Sequence, residues 1–305
     1  MKSIRSANHP IGCLHLPLGF FMCLIMLVSS ASPQGTNKAK QHFDNGRKAY
    51  LKFTADDYKE AVNYYEKALA EDSNFAPAYA GLSEAYALIG FEFEKSGQPV
   101  ENYYSRALLN AQKSLEKDST LGMAHRAMAQ SCLNANPKKF GQFIYDEINR
   151  ALELDSTDAE SYYLMWLHTD NTDPESRWIK RSLDFNDRFF QSHYSLGLLY
   201  AKQKNFVQAI RHYERCVAIN PKNYRAYFSL GNVYSQQKKY DLAIPEYETT
   251  IKLNAKNTEA YFYLGLAYYY QDRNKDAKKY LENYLEKAPG TTFRTQVEEI
   301  LKDLK

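Results

Sequence analysis

A period of 34 residues constrains the fold of this chain more than any other feature of its sequence. Glycine recurs with this spacing at Gly197, Gly231 and Gly265. Leucine, tyrosine and alanine keep the same spacing, at Leu196, Leu230 and Leu264, at Tyr200, Tyr234 and Tyr268, and at Ala209, Ala243 and Ala277. A fixed period of this length indicates supersecondary units that stack on one another and bury a continuous core.

Each copy of the period reads as two helices joined by a polar turn. In one copy the first helix contains HYSLGLLY, and the second stretch is NFVQAIRHYERCVAINP. We expect the glycine to let the two helices approach closely, while leucine and tyrosine fill the contact between them. The small alanine of the second helix lets the neighbouring backbone approach closely. Pro221 ends the second helix in one copy, and Pro289 ends it in another.

The segments HYSLGLLY, YFSLGNVY and YFYLGLAY resemble the tetratricopeptide repeat, a family of paired antiparallel helices. The resemblance extends over residues 40–291. It implies an all-α fold, a right-handed α-solenoid of about seven helix-turn-helix units. The first two units also resemble the repeats found beside catalytic or DNA-binding domains in bacterial signalling proteins, which implies an interaction module.

The repeat register predicts the boundaries of the units. They fall at 40–75, 76–121, 122–158, 159–189, 190–223, 224–257 and 258–291. The second unit holds an insertion between its helices, centred on residues 91–100. Residues 292–305 are predicted as a capping helix that covers the open apolar end of the solenoid, with a buried face formed by Phe293, Val297, Ile300, Leu301 and Leu304.

The first 31 residues have the order of a secretory signal. Lys2 and Arg5 precede an apolar run, and small residues end at Ala31. We therefore predict a signal peptide at 1–31, a short linker at 32–39 and export to the periplasm or the medium. The alternative is a membrane anchor through residues 14–28. The sequence lacks an Asn-x-Ser/Thr acceptor, which favours a bacterial envelope protein.

The charge balance argues against nucleic acid as a partner. Lysine and arginine number 39 and aspartate and glutamate 36, so there is no cationic excess to neutralise many phosphates. Motifs of metalloproteases, α/β-hydrolases, P-loops and dinucleotide-binding folds are missing from the sequence. We expect no enzyme activity, no cofactor and no metal. His125, His193, Cys132 and Cys216 occupy helix positions typical of packing residues.

The concave face of the solenoid is the predicted binding surface. In the family, the fifth residue of each unit points into that groove, and several aromatic residues occupy or adjoin this position. The candidate residues are Tyr163, Tyr194, Phe228 and Phe262, joined by Asn232, Tyr269 and Tyr270. An aromatic strip with one amide suits a peptide. The alternative is that these rings pack against adjacent helices and only stabilise the solenoid.

Two functions from different classes remain open at this stage. The first is a non-catalytic exported scaffold that holds a peptide or an extended protein segment in its concave groove. The second is an accessory subunit of an envelope polysaccharide-handling or transport complex, with glycan in direct contact with the tyrosines. An undetected enzyme ranks below both.

Overall fold

The computed structural model describes residues 37–95 and 99–304. Within these ranges the chain forms fifteen helices and no strand. The helices are α1 (Asn37–Tyr50), α2 (Ala55–Glu71), α3 (Ala76–Lys95), α4 (Glu101–Lys117), α5 (Gly122–Ala135), α6 (Gly141–Leu154), α7 (Ala159–Thr169), α8 (Arg177–Phe185), α9 (Phe190–Lys202), α10 (Phe206–Ile219), α11 (Tyr224–Gln236), α12 (Tyr240–Leu253), α13 (Thr258–Tyr269), α14 (Asn274–Lys287) and α15 (Arg294–Asp303).

Seven helix pairs, α1–α2 to α13–α14, stack in chain order, and the fold is an all-α solenoid. The first helices of the second to seventh pairs begin at residues 76, 122, 159, 190, 224 and 258, where the repeat register places the unit boundaries. Helix α1 begins at Asn37, inside the predicted linker. The predicted signal at 1–31 lies outside the described residues.

The first part of the insertion of the second unit is helical. Helix α3 continues to Lys95, so residues 91–95 extend it instead of forming a loop. This extension carries Glu92 toward α11, where it meets Arg225. The sequence predicts the position of the insertion but neither its helical part nor the contact with Arg225.

In the fifth and sixth repeats, the repeated glycine is required by a tyrosine of the paired helix. A Cβ atom added at Gly197 would lie 2.5 Å from Cε1 of Tyr213, and one added at Gly231 would lie 2.6 Å from Cε1 of Tyr247. Both tyrosine side chains are almost fully buried. The glycine therefore makes room for the ring that fills the contact between the two helices.

Helix α15 covers the last repeat. Val297 is fully buried, and Ile300, Leu301 and Leu304 pack with it against residues of α13 and α14. Phe293 precedes the helix and stacks on Phe262 with a ring-centroid distance of 5.1 Å. The C-terminal helix thus buries the apolar end of the solenoid, as a terminal cap must.

The first repeat also contacts repeats far along the chain, and we call these contacts the closure. The turn between α1 and α2, residues 51–54, lies against α9 and the α10–α11 connection, where Phe53 stacks on Phe190. The carbonyl of Lys52 accepts a hydrogen bond from Asn220. Contacts between distant units set this chain apart from an array in which each repeat touches only its neighbours.

None of the helices in the two described ranges has the length and hydropathy needed to span a bilayer.

Candidate functional site

A cavity of about 700 Å³ lies where the first helices of the early repeats converge, and we call it the central cavity. Its walls come from α3, α5, α7 and α9, and Arg225 of α11 adds to one side. Tyr50 at the end of α1, Phe53 of the α1–α2 turn and Tyr58 of α2 form a further part of the wall. The closure places Phe53 against the fifth repeat and so completes the cavity wall.

The cavity wall is mostly apolar. Tyr163, Phe190 and Tyr194 supply aromatic surface, and Leu198 and Phe91 supply further apolar surface. Leu198 is 48% exposed and Phe91 is 40% exposed, so both present apolar surface to solvent at the cavity. Exposed apolar side chains grouped at a concave site are typical of ligand-binding surfaces.

The tyrosine hydroxyls of the wall have partners within the protein. Tyr163 and Ser195 form a hydrogen bond of 2.8 Å, and Tyr194 and Ser229 form one of 3.3 Å. Burial raises the pKa of Tyr163 to about 12, so the phenol is neutral at physiological pH. Both residues therefore offer mainly ring surface to a ligand.

A buried network of five charged groups supports the wall. Arg126 of α5 donates from Nε to Glu84 at 2.7 Å and from Nη1 to Asp158 at 2.7 Å. Arg47 of α1 donates to Glu84 at 2.8 Å and also pairs with Glu160, which lines the cavity. The network ties α1, α3, α5 and the start of α7 together.

The carboxylates of this network respond to burial and to the arginines in opposite ways. Burial raises the pKa of Glu84 above its ordinary value, although Arg126 and Arg47 oppose that effect. Burial also acts to raise the pKa of Asp158, but Arg126 and hydrogen bonds from Ser161 and the backbone outweigh it and lower the pKa. The difference follows from desolvation, because the side chain of Glu84 is fully buried and that of Asp158 is 13% exposed.

Two of the seven predicted binding residues, Tyr163 and Tyr194, line the central cavity. Phe228 lies outside it, with its ring 6.0 Å from Tyr247 and 5.9 Å from Tyr263. The amide oxygen of Asn232 accepts a hydrogen bond of 2.8 Å from the hydroxyl of Tyr247. Phe228 therefore packs between the sixth and seventh repeats, and Asn232 takes part in packing within the sixth.

The remaining predicted residues belong to the last repeat. Phe262 is 5% exposed, because Tyr284 and Phe293 cover its ring. Tyr269 is half-buried, and Tyr270 is 57% exposed and stacks on Tyr240 at 5.1 Å. The capping segment thus covers Phe262, and the two tyrosines lie at the end of α13, apart from the residues of the cavity wall.

Several cavity residues carry no repeat signature. Phe91 belongs to the insertion, and Arg225 forms a bidentate pair with Glu92 that joins α11 to α3. Phe53 lies in a turn where the regular repeats have polar residues. The insertion and this unusual aromatic residue are the two signals in the sequence that could have pointed to them.

His125 and the two cysteines of the described residues have packing roles. His125 is bonded to Glu147 at 2.8 Å, while Cys132 and Cys216 are buried, free thiols. Burial raises the pKa of Cys132 to about 12, which leaves the thiol protonated and unreactive. Among the described residues, no three His, Cys, Asp or Glu side chains are grouped so that they could hold a metal ion.

The histidine pair of the fifth repeat predicts a dependence of stability on pH. His193 Nε2 donates to the carbonyl of Asp187, so its Nδ1 accepts from Nδ1 of His212 at 3.0 Å. Burial, His193 and Arg211 lower the pKa of His212 to about 4, below its unfolded value. As the pH falls, the unfolded chain takes up the proton first. We expect the free energy of unfolding to fall by about 1–2 kcal/mol from pH 7 to pH 5 through this group.

The variant His212→Gln should lose this component and keep the acid sensitivity of the carboxylates. Urea denaturation of both proteins at pH 7 and pH 5 measures the difference. An equal loss of stability in the two proteins would show that His212 does not titrate in this range.

Family models match the sequence in two regions. Models described as tetratricopeptide repeat match residues 45–75, 190–223, 212–244 and 259–291, and a model described as TPR repeat matches residues 231–272. No curated protein matches the chain in sequence.

Solved structures with the same fold come from functionally different proteins. The human IFIT1 dimer with PPP-AAAA is 18% identical with a TM-score of 0.60, over 87% of this chain and 63% of that one. The Cut9–Hcn1 hetero-tetramer of the APC/C is 17% identical with a TM-score of 0.55, over 88% of this chain and 57% of that one. Pseudomonas aeruginosa pilF is 15% identical with a TM-score of 0.53, over 72% of this chain and 98% of that one.

The chain therefore spans less than two thirds of the length of the first two structures, and at these identities the likeness shows the fold alone. The repeat matches, the helix pairs and the glycine–tyrosine packing all indicate the same repeat family. The chain is a tetratricopeptide repeat protein.

Proposed function

We propose that this protein is a non-catalytic scaffold that binds a short segment of a partner protein in the central cavity. Tetratricopeptide repeat folds generally mediate protein or peptide interactions. The observation that carries the proposal is the cavity itself, with about 700 Å³ of space beside exposed Leu198 and Phe91 and the rings of Tyr163 and Tyr194. Its volume and its mainly apolar wall are those of sites that bury most of a ligand.

The charges at the cavity favour an uncharged segment over a polyanion. Arg225 is paired with Glu92, and the two arginines of the buried network face three carboxylates. No excess of positive charge remains there to bind phosphates, which IFIT1 meets in the RNA of its complex. A neutral, apolar peptide segment fits this wall best.

The closure limits the length of the bound segment. The predicted groove would accommodate a peptide along several repeats, but Tyr50 of α1 and Phe53 of the α1–α2 turn add a wall to the cavity. While the turn is in place, a partner segment enters from the open side and ends inside the cavity. The hydroxyls of Tyr163 and Tyr194 are already bonded to serines, which leaves ring surface for apolar side chains and fewer groups for a glycan.

We also propose that the protein acts outside the cytoplasm. The proposal rests on the basic, apolar and small residues in sequence at 1–31. Fractionation of cells that express the full chain or residues 32–305, each with a C-terminal tag, tests it. Export of the full chain alone supports a signal, retention of the full chain in the membrane supports the anchor at 14–28, and cytoplasmic location of both contradicts the proposal.

A charge placed in the cavity should abolish partner binding. We expect Leu198→Glu to lower recovery of the partner by about tenfold or more, because the new carboxylate would be buried against apolar surface of the partner. Leu198 is 48% exposed, so the fold should tolerate the change. Affinity capture from extracts of the native cells measures recovery, and a photo-crosslinking residue at position 198 identifies the bound segment.

Val207→Glu is the matched control. Val207 is 76% exposed at the start of α10 and does not line the cavity. Both variants should keep the helical circular dichroism of the parent protein. Recovery of the same partner by Leu198→Glu and the parent would place binding elsewhere and contradict the proposal.

A further inference from the structure

In four of the repeats, the described turn between the two helices contains a non-glycine residue in the left-handed conformation. In the fifth, sixth and seventh repeats these residues are Lys204, Lys238 and Asp272, with φ values of 60°, 58° and 58°. All three are polar and exposed. In the first repeat the residue is Phe53, with φ of 63° and an exposure of 4%. Bulky residues rarely adopt this conformation, so its side-chain contacts must hold it there.

The ring of Phe53 packs against aromatic residues of distant repeats. It stacks on Phe190 with centroids 4.9 Å apart and planes at 19°, and it meets the edge of Phe189 at 6.5 Å. Next to it, the carbonyl of Lys52 accepts hydrogen bonds from Nδ2 of Asn220 at 3.0 Å and from Nδ2 of Asn223 at 2.9 Å. We call the residues Phe189, Phe190, Asn220 and Asn223 the Phe53 seat.

These contacts are the ones by which a protein groove binds a peptide. An aromatic side chain fills an aromatic pocket, and two side-chain amides donate to a single main-chain carbonyl. The amide contacts do not depend on the identity of the residue that carries the carbonyl. The seat residues are uncharged, so an acidic or basic side chain gains nothing there. The seat adjoins the central cavity, because Phe53, Phe189 and Phe190 also line it.

We propose that the Phe53 seat recognises an aromatic residue together with the main-chain carbonyl before it, and that Lys52–Phe53 is a resident ligand which the partner segment displaces. The inference rests on the proposed function, since the same cavity admits the partner. The partner can bind only to molecules in which the α1–α2 turn has left the Phe53 seat. Its apparent affinity is therefore reduced in proportion to the fraction of such molecules. Removal of the Phe53 ring therefore raises the affinity.

The test uses the full chain and a labelled synthetic peptide, KAYLKFTA, which is the sequence of residues 48–55. We expect Phe53→Ala to bind this peptide about tenfold more tightly than the parent protein does. A peptide with alanine in place of its phenylalanine should show no such gain. Addition of Asn220→Ala to Phe53→Ala should weaken binding of the original peptide again, because one of the two amide donors is lost. Fluorescence anisotropy measures the affinity of each protein for each peptide.

A purely structural role for Phe53 predicts the opposite pattern. Phe53→Ala would then melt at a lower temperature and bind the peptide no better than the parent does, which overturns the inference. If Phe53→Ala loses its helical circular dichroism, Phe53→Leu replaces it, with a smaller gain expected and the same contradicting result. The proposed function fails separately, when Leu198→Glu leaves capture of the partner unchanged.

Discussion

Replacement of Arg126 by methionine is expected to lower the free energy of unfolding by about 3–5 kcal/mol. The side chain of Arg126 is 7% exposed and contacts Glu84 and Asp158 at 2.7 Å and Glu160 at 3.4 Å. Methionine fills most of the space but leaves the fully buried Glu84 with Arg47 as its remaining cation. Urea denaturation followed by circular dichroism measures the loss.

Arg150→Met provides the control for the loss of a positive charge. Arg150 pairs with Glu153 at 2.8 Å, but the two side chains are 50% and 64% exposed. Water screens such a pair, so the expected change is below about 1 kcal/mol. Glu84→Gln combined with Arg126→Met should restore part of the stability that Arg126→Met removes. Equal losses for Arg126→Met and Arg150→Met would show that burial of the network adds nothing.

Tyr65→Ala is expected to lower the free energy of unfolding by about 3–5 kcal/mol, through the cavity that it leaves. Tyr65 of α2 is fully buried, and its ring lies against glycines of two different helices. A Cβ atom at Gly46 of α1 would lie 2.5 Å from Cε1, and one at Gly81 of α3 would lie 2.6 Å from Cζ. Both helices pack their backbones directly against this ring. They can therefore fill the space left by its removal only if their backbones shift.

Tyr65→Phe keeps the ring and separates its volume from its hydroxyl group. The expected loss for this variant is below about 1 kcal/mol. Thermal and urea denaturation of the two variants and the parent give the comparison. A similar loss for phenylalanine and alanine would mean that the hydroxyl, and not the volume of the ring, stabilises the first repeat.

The helix pairs could be predicted from the sequence because their determinants are local. The spacing of Gly197, Gly231 and Gly265 identifies the first helix of each regular unit, and Ala209 and its equivalents identify the second. The apolar face of residues 292–305 predicts the helix that the structure shows at Arg294–Asp303. These features depend on residues within one unit or its neighbour, where the pattern of a single repeat is enough.

The central cavity could not be predicted in the same way. It depends on contacts such as Arg47–Glu160 and Lys52–Asn223, which join residues 113 and 171 positions apart and have no periodic signal. The position in the repeat selects Tyr163 and Tyr194, which line the cavity. The same rule selected Phe262, but it takes no account of Phe293, which covers that ring from outside the repeats.

The closure has a consequence for how this protein can evolve. Repeat arrays commonly grow and shrink by duplication or loss of whole units, because each unit needs only its two neighbours. Here the hydrogen bonds from Asn220 and Asn223 to Lys52 require a fixed number of units between the first and the fifth. A duplication among the second to fourth units would separate these groups and open the cavity. A duplication of the seventh unit would leave both intact, so copy number is free to change only toward the C-terminal end.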